Sequence, residues 1–290
     1  MEQISIPLSA VEAISATLWE VAQAKAVVIL HPATAVVQTF YYDFARYLNE
    51  RGFNVMTYDY RGTGRSRGNL RECKVSMADW MEEDVGRVTD WAASRFPGMP
   101  LLAVGHSVGG HAIVLSSATR ALQAAVLIAS HAGVTRTIQA TVEKIRVWCM
   151  LRLLAPVLCR LFGYMPARRL GIGEDLPGPV MLQWSYWSSL PGYFYDDPAM
   201  NAGQRAARVD IPLLVLGFDD DPWANPGAIT RLITPLKHAI IERRSFKPAD
   251  AGVAAIGHMG FFRQRCAKTL WPVVGDWLSE NITLPGSEHE

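Results

Sequence analysis

Short apolar runs alternate along this chain with stretches in which apolar residues recur every three or four positions. Ala26-Val27-Val28-Ile29-Leu30, the run 53–58, Leu101-Leu102-Ala103-Val104, the run 124–129 and the run 212–217 read as buried strands. Between them, Phe40, Phe44, Tyr47 and Leu48 keep helical spacing, and Gly52 stops that helix. Ser76-Met77-Ala78-Asp79 has the form of a capping box and opens a helix to about Phe96. The residues up to Trp19 alternate loosely, which predicts antiparallel edge strands. A helix over 226–236, a strand over 239–243 and a helix from about Phe261 to Leu278 close the chain. Strand and helix in alternation, with continuously apolar strands, predict an α/β fold. Its sheet should be doubly wound, mostly parallel and covered on both faces.

The rhythm breaks after Ser130, where helical, Trp- and Arg-rich sequence runs to about residue 210. It predicts an inserted helical cap over 131–210, set on a core formed by 1–130 and 211–290. The cap would stand over the C-terminal edge of the sheet, where open α/β folds take ligands. Within 147–165, Arg152, Pro156 and Arg160 interrupt an otherwise apolar stretch, so surface helix is expected there and not a membrane span.

Half of the residues are hydrophobic and the formal net charge is +1, which permits a large core and leaves no electrostatic signal for nucleic acid. Met1-Glu2-Gln3-Ile4-Ser5 has neither the basic nor the apolar part of a secretory signal. Cys73, Cys149, Cys159 and Cys266 form no Cys-x-x-Cys pair and no metal-like cluster. Reduced thiols in a cytoplasmic protein, with no metal and no cofactor, are the expectation.

The strongest chemical signal is Gly105-His106-Ser107-Val108-Gly109-Gly110, placed between an apolar strand and a helical pattern. A serine nucleophile needs a strained strand-to-helix turn, and small neighbours let the surrounding backbone pass close to it. The start of the next helix then offers N–H groups to an oxyanion. A serine also needs a base, and the base needs an acid to orient it. Asp219, Asp220 and Asp221 stand at the end of the late strand Leu213-Leu214-Val215-Leu216-Gly217. His258 lies between Gly257 and Met259-Gly260, before the last helix.

These motifs, with Val28-Ile29-Leu30-His31-Pro32-Ala33 and Tyr58-Asp59-Tyr60-Arg61-Gly62-Thr63-Gly64-Arg65-Ser66, resemble those of the α/β-hydrolase superfamily over nearly all of the chain except the cap. Within it the chain is similar to a group of bacterial hydrolases of unsettled substrate. The resemblance implies Ser107 as nucleophile, His258 as general base and Asp220 as orienting acid. Asp220 matches the usual Gly-x-x-Asp spacing from Gly217, and Asp221, followed by Pro222, is the alternative. For the oxyanion hole it implies the N–H of Val108 and a donor from the position usually written His-Gly-x. Here that reads His31-Pro32-Ala33. Pro32 has no N–H, so Ala33 is the expected donor, with the Thr34 hydroxyl as an assistant.

The remaining signals have plainer readings. His31, His106, His111, His131 and His238 are expected to be packing or hydrogen-bonding residues. Asp59-Tyr60-Arg61-Gly62-Thr63-Gly64 lacks the third glycine of a dinucleotide loop and is expected to be a structural turn. From His131 to Leu170 there are seven basic residues (Arg136, Lys144, Arg146, Arg152, Arg160, Arg168, Arg169) against Glu143. A solvated lid face accounts for them best, ahead of a membrane-surface contact or an acidic partner. Trp184, Tyr186, Trp187, Tyr193, Phe194 and Tyr195 suit the roof of an apolar pocket. Arg152 and Arg160 are the expected holders of any anionic substrate group.

The expectation is a serine hydrolase that cleaves a carboxylic ester with an apolar or acyl substrate, through an acyl-enzyme. Thioesterase, peptidase and acyltransferase chemistry would use the same residues, and a non-catalytic binding protein on the same scaffold is the rival of another class.

Overall fold

The computed structural model describes residues 1–9, 12–133 and 135–283. Residues 284–290 of the expected core, and the side chain of Arg136, lie outside the described residues. The strands are β1 (Glu2–Pro7), β2 (Ala13–Trp19), β3 (Ala26–His31), β4 (Phe53–Tyr58), β5 (Leu101–His106) and β6 (Ala124–Ile128), then β7 (Tyr164–Met165), β8 (Leu176–Pro177), β9 (Pro212–Phe218) and β10 (Ile240–Phe246). The α-helices are α1 (Tyr42–Glu50), α2 (Met77–Asp79), α3 (Val85–Arg95), α4 (Val108–Leu115) and α5 (Thr141–Cys149). They continue with α6 (Ala155–Phe162), α7 (Gly178–Trp187), α8 (Ala202–Ala206), α9 (Pro226–Ile233) and α10 (Trp271–Glu280).

Eight strands form one sheet in the order β1-β2-β4-β3-β5-β6-β9-β10. The first two join antiparallel, and from β4 onward every pairing is parallel. Strands β3, β4, β5 and β6 are buried along their whole length. Helices cover both faces and leave no position for water, so these strands are mostly apolar; in β4 the polar Asn54 and Thr57 are buried with hydrogen-bond partners, Asn54 accepting from Val21 N and Thr57 donating to Gln38 Oε1. The Ser76 capping box is present, and a π-type turn at Trp80–Asp84 joins α2 to α3.

Among the described residues of 131–210, none joins this sheet; β7 and β8 pair only with each other. In the stretch 147–165, a π-type turn at Met150–Leu154 separates α5 from α6, just ahead of Pro156, which has no N–H to give. No helix among the described residues is long and apolar enough to cross a membrane. The last helix begins later than its apolar spacing suggests. Phe261 and Phe262 sit in a short 3-10 turn and bury themselves in the core, and α10 starts at Trp271 with a proline in its first turn.

Asp59 explains the glycine-rich turn after β4. Its carboxylate accepts from Gln38 N (2.8 Å), Gln38 Nε2 (2.9 Å) and Arg65 N (3.0 Å). Gly64 has φ +47°, and a side chain there would stand 2.4 Å from that carboxylate. The motif is a turn folded around an aspartate.

Candidate active site

Strand β5 carries the backbone to Ser107, which takes φ 53° and ψ −111° before α4 begins at Val108. Such a conformation costs a non-glycine residue of order 1–3 kcal/mol, so packing must hold it. The Ser107 N–H donates to Ile128 O (2.9 Å) at the end of the neighbouring strand. Crowding explains the glycines. A Cβ on Gly105 would lie 2.4 Å from Gly109 O, and one on Gly109 would lie 2.1 Å from His31 O.

The loop after β10 brings His258 to this serine. The Ser107 hydroxyl donates to His258 Nε2 (3.0 Å), and His258 Nδ1–H donates to Asp221 Oδ2 (2.8 Å). The Asp221 side chain is fully enclosed, whereas the His258 side chain keeps 16% of its surface exposed. Asp221 Oδ1 accepts from Trp223 N (2.8 Å) and Ala224 N (3.0 Å). Burial pushes the Asp221 carboxyl up, but the His258 charge and these hydrogen bonds outweigh it and hold the group below the usual carboxylate range. Asp221 is therefore ionised at neutral pH.

The preference for Asp220 as the acid is corrected by this geometry. Strand β9 runs through Phe218, still paired with Phe246, and the turn Asp221 N–Phe218 O (3.0 Å) follows it. The buried position toward the histidine thus falls one residue later than a count from Gly217 places it. Asp220 accepts instead from Ile256 N (2.8 Å) and Gly257 N (3.0 Å), fastening the loop that carries His258.

The oxyanion expectation also changes. The N–H of Val108 opens α4, where it has no partner within the helix. The Ala33 N–H, however, is taken by the Tyr41 hydroxyl (2.8 Å). Tyr41 in turn donates to His106 Nδ1 (2.9 Å), and His106 Nε2–H donates to His258 O (2.9 Å). The Ala33 N–H, which can only donate, and the His258 carbonyl, which can only accept, fix the direction of every hydrogen bond in this chain. Burial, then the neighbouring His258, brings the His106 pKa down to about 3, so the ring stays neutral and the pattern holds. The Thr34 hydroxyl is buried, lines the cavity and has no partner among the described residues.

Ser107 and His258 open onto a cavity of about 1010 Å³. Much of its wall is apolar, with Val147, Met150, Leu151, Met181, Trp184 and Trp223 contributing from the segment after β6 and from the β9 loop. Trp184 and Tyr193 line it, but Trp187 and Phe194 are buried beside it and Tyr186 is exposed. Arg152 and Arg160 are exposed and take no part in the lining, which corrects their expected role; Arg146 and Arg263 line it instead. Both acids of the lining are neutralised. Glu143 pairs with Arg146 (3.1 Å), and Glu174 pairs with Arg67 (3.2 Å) and Arg168 (2.6 Å).

His106, His111 and His131 were expected to pack, and all three stand beside the site. For His106 and His111 the signal is their spacing from Ser107, one position before it and four after it; His131 comes from the loop after β6, and its local sequence holds no such signal.

A family model described as "Serine aminopeptidase, S33" matches residues 22–170. No curated protein matches the chain in sequence. Among solved structures, a monoacylglycerol lipase from Paleococcus ferrophilus is 18% identical, with a TM-score of 0.63 over 93% of this chain and 99% of that one. A soluble variant of monoglyceride lipase from Saccharomyces cerevisiae is 16% identical, with a TM-score of 0.71 over 97% and 96%. A carboxyl esterase from Bacillus coagulans is 13% identical, with a TM-score of 0.66 over 97% and 99%. These likenesses concern the fold.

Proposed function

The chain belongs to the serine aminopeptidase S33 family of α/β-hydrolases, and we propose that this serine hydrolase cleaves carboxylic esters with an apolar acyl or alcohol group. The observation that carries the reading is the continuous relay from Ser107 through His258 to the enclosed Asp221. Ser107 Oγ attacks the ester carbonyl as its proton passes to His258 Nε2, while ionised Asp221 stabilises the imidazolium. The negative oxygen is met by the N–H of Val108 and the Thr34 hydroxyl. His258 then returns the proton to the departing alcohol, and water repeats the attack on the acyl-enzyme.

An ester suits the cavity better than a peptide with a free amino terminus. Such a substrate needs an unpaired carboxylate for its ammonium, and Glu143 and Glu174 are both held by arginines. The named structural neighbours, two lipases and an esterase, support the same choice. Residues 131–210 act in this reading as the cap that roofs the pocket. Ser107→Ala should remove turnover of p-nitrophenyl butyrate, and variant activity near the wild-type level would refute the assignment.

A second reading places this chemistry at a lipid surface. The cap exposes Val142 (81%), Ile145 (56%), Leu153 (54%), Val157 (54%) and Leu161 (72%) along α5, the π-type turn after it and α6, with exposed Arg152 and Arg160 among them. Apolar and basic side chains together suit an anionic bilayer. Flotation with phosphatidylglycerol vesicles should then recover the protein at low salt and lose it at high salt. Absence from the floating fraction at every salt concentration counts against this reading.

A further inference from the structure

We propose that His111, His131 and Tyr193 form a hydrogen-bonding subsite in the cavity that receives an uncharged hydroxyl group of the substrate, a few bonds from the scissile carbonyl. The proposal rests on the ester-hydrolase reading and narrows its substrate class.

All three residues line the cavity that holds Ser107 and His258. They are 1%, 7% and 0% exposed. Each carries a buried polar atom without a partner among the described residues: His111 Nδ1, His131 Nδ1 and the Tyr193 hydroxyl. Buried polar atoms are almost always paired, so three such atoms together call for a ligand group. They are neighbours in space. The His111 ring centre lies 5.4 Å from that of Tyr193 and 6.4 Å from that of His131. The His131 ring lies 5.5 Å from the catalytic-site ring of His258. His111 follows Ser107 by four positions across the start of α4, which puts it about one helical turn, ~5–6 Å, from the serine.

The chemistry of the ligand follows from the donors and acceptors. His111 Nε2–H donates to His131 O (2.6 Å), so its Nδ1 is an acceptor and demands an O–H or N–H from the ligand. The Tyr193 hydroxyl both donates and accepts. Burial brings the His111 pKa down to about 4 and that of His131 to about 3, and it raises that of the Tyr193 phenol, so all three are neutral at physiological pH. An ionised carboxylate has no proton to give the lone pair of His111 Nδ1 and would set its charge against it. A hydroxyl satisfies both the acceptor and the phenol.

Tyr193 is also held for a purpose. It takes φ 59°, a left-handed conformation that strains a bulky residue and persists only where packing holds it. Its ring packs on Phe194 (4.9 Å) and Trp187 (5.8 Å). Gly133 leaves room for it, since a Cβ there would approach the ring to 3.3 Å.

The test uses Ser107→Ala protein, which binds ester without turning it over, so the subsite is read apart from the chemistry. Calorimetry compares propyl butyrate with 2-hydroxyethyl butyrate, which carries the hydroxyl on the alcohol side, and with propyl 3-hydroxybutyrate, which carries it on the acyl side. At least one hydroxylated ester should bind ~10-fold more tightly than propyl butyrate. Adding Tyr193→Phe, which preserves the ring, should remove most of that preference; adding His111→Leu should do the same. The arm that responds tells which half of the substrate bears the hydroxyl. Equal affinities for all three esters mean that water alone serves these atoms and overturn the proposal, as does a preference that survives Tyr193→Phe. Turnover by Ser107-containing protein is measured separately: its absence with the binding preference intact would refute the ester reading and leave the subsite standing.

Discussion

At Asp221 one carboxylate oxygen faces His258 and the other is held by two backbone N–H groups, so its position does not depend on the histidine. Asp220, one residue earlier, is exposed and spends its oxygens on the 256–257 backbone. The two side chains therefore predict opposite mutational signatures. Asp221→Asn should lower kcat by about 10⁴-fold with the fold intact, because the amide favours the wrong tautomer of His258. Asp220→Asn should act through loop placement, with a loss of ~10-fold or less. Kinetics of both variants on one p-nitrophenyl ester decide the matter, and a larger loss at Asp220 would reverse the assignment. The Ser107–His258 pair was legible as a candidate because glycines mark tight backbone on both sides of each residue. Which aspartate meets His258 was not legible, because it depends on whether β9 ends at Gly217 or at Phe218.

At the scale of elements, the end of β3 and the start of α4 nearly touch, Gly109 meeting His31 O. That contact sets the loop after β3 against the serine. The chain Ala33–Tyr41–His106–His258 then ties the same loop to the histidine. Apolar periodicity predicted the strands and the order of the core helices because each signal lies within one element. The linkage between elements is absent from any local pattern. Tyr41 sits in a short 3-10 turn before α1 and meets His106 only once β3 and β5 are paired. The same reason hid the subsite: His111, His131 and Tyr193 come from α4, the loop after β6 and the segment preceding α8. The last helix was misjudged by its start, because Phe261 and Phe262 are buried in a helical rhythm without forming an α-helix.

For the whole molecule, four imidazoles enclosed around the sheet make stability acid-sensitive. Burial brings His31, His106 and His131 down to a pKa of about 3 and His111 to about 4. In the unfolded chain each titrates near 6.5. The unfolded state therefore binds more protons below that pH. The stabilisation is complete above 6.5 and is lost as pH falls toward the folded-state values, with a limiting slope of about 5 kcal/mol per pH unit. Asp221, whose folded pKa is depressed, adds a contribution that is lost only in stronger acid. Urea unfolding should show a much lower midpoint at pH 5.5 than at pH 7.5; equal midpoints would mean that these rings gain access to protons in the folded state.

Two distant segments of the chain converge on one oxygen atom, Ser107 Oγ, and the proposed chemistry requires it to be reactive. The most direct measurement of that reactivity is the rate of labelling by a fluorophosphonate, with the adduct located by peptide mass spectrometry. One adduct is expected, on Ser107, absent from Ser107→Ala and formed at least ~10³-fold more slowly in His258→Ala. Labelling of His258→Ala at the wild-type rate, or an adduct elsewhere with Ser107 unmodified, would contradict it.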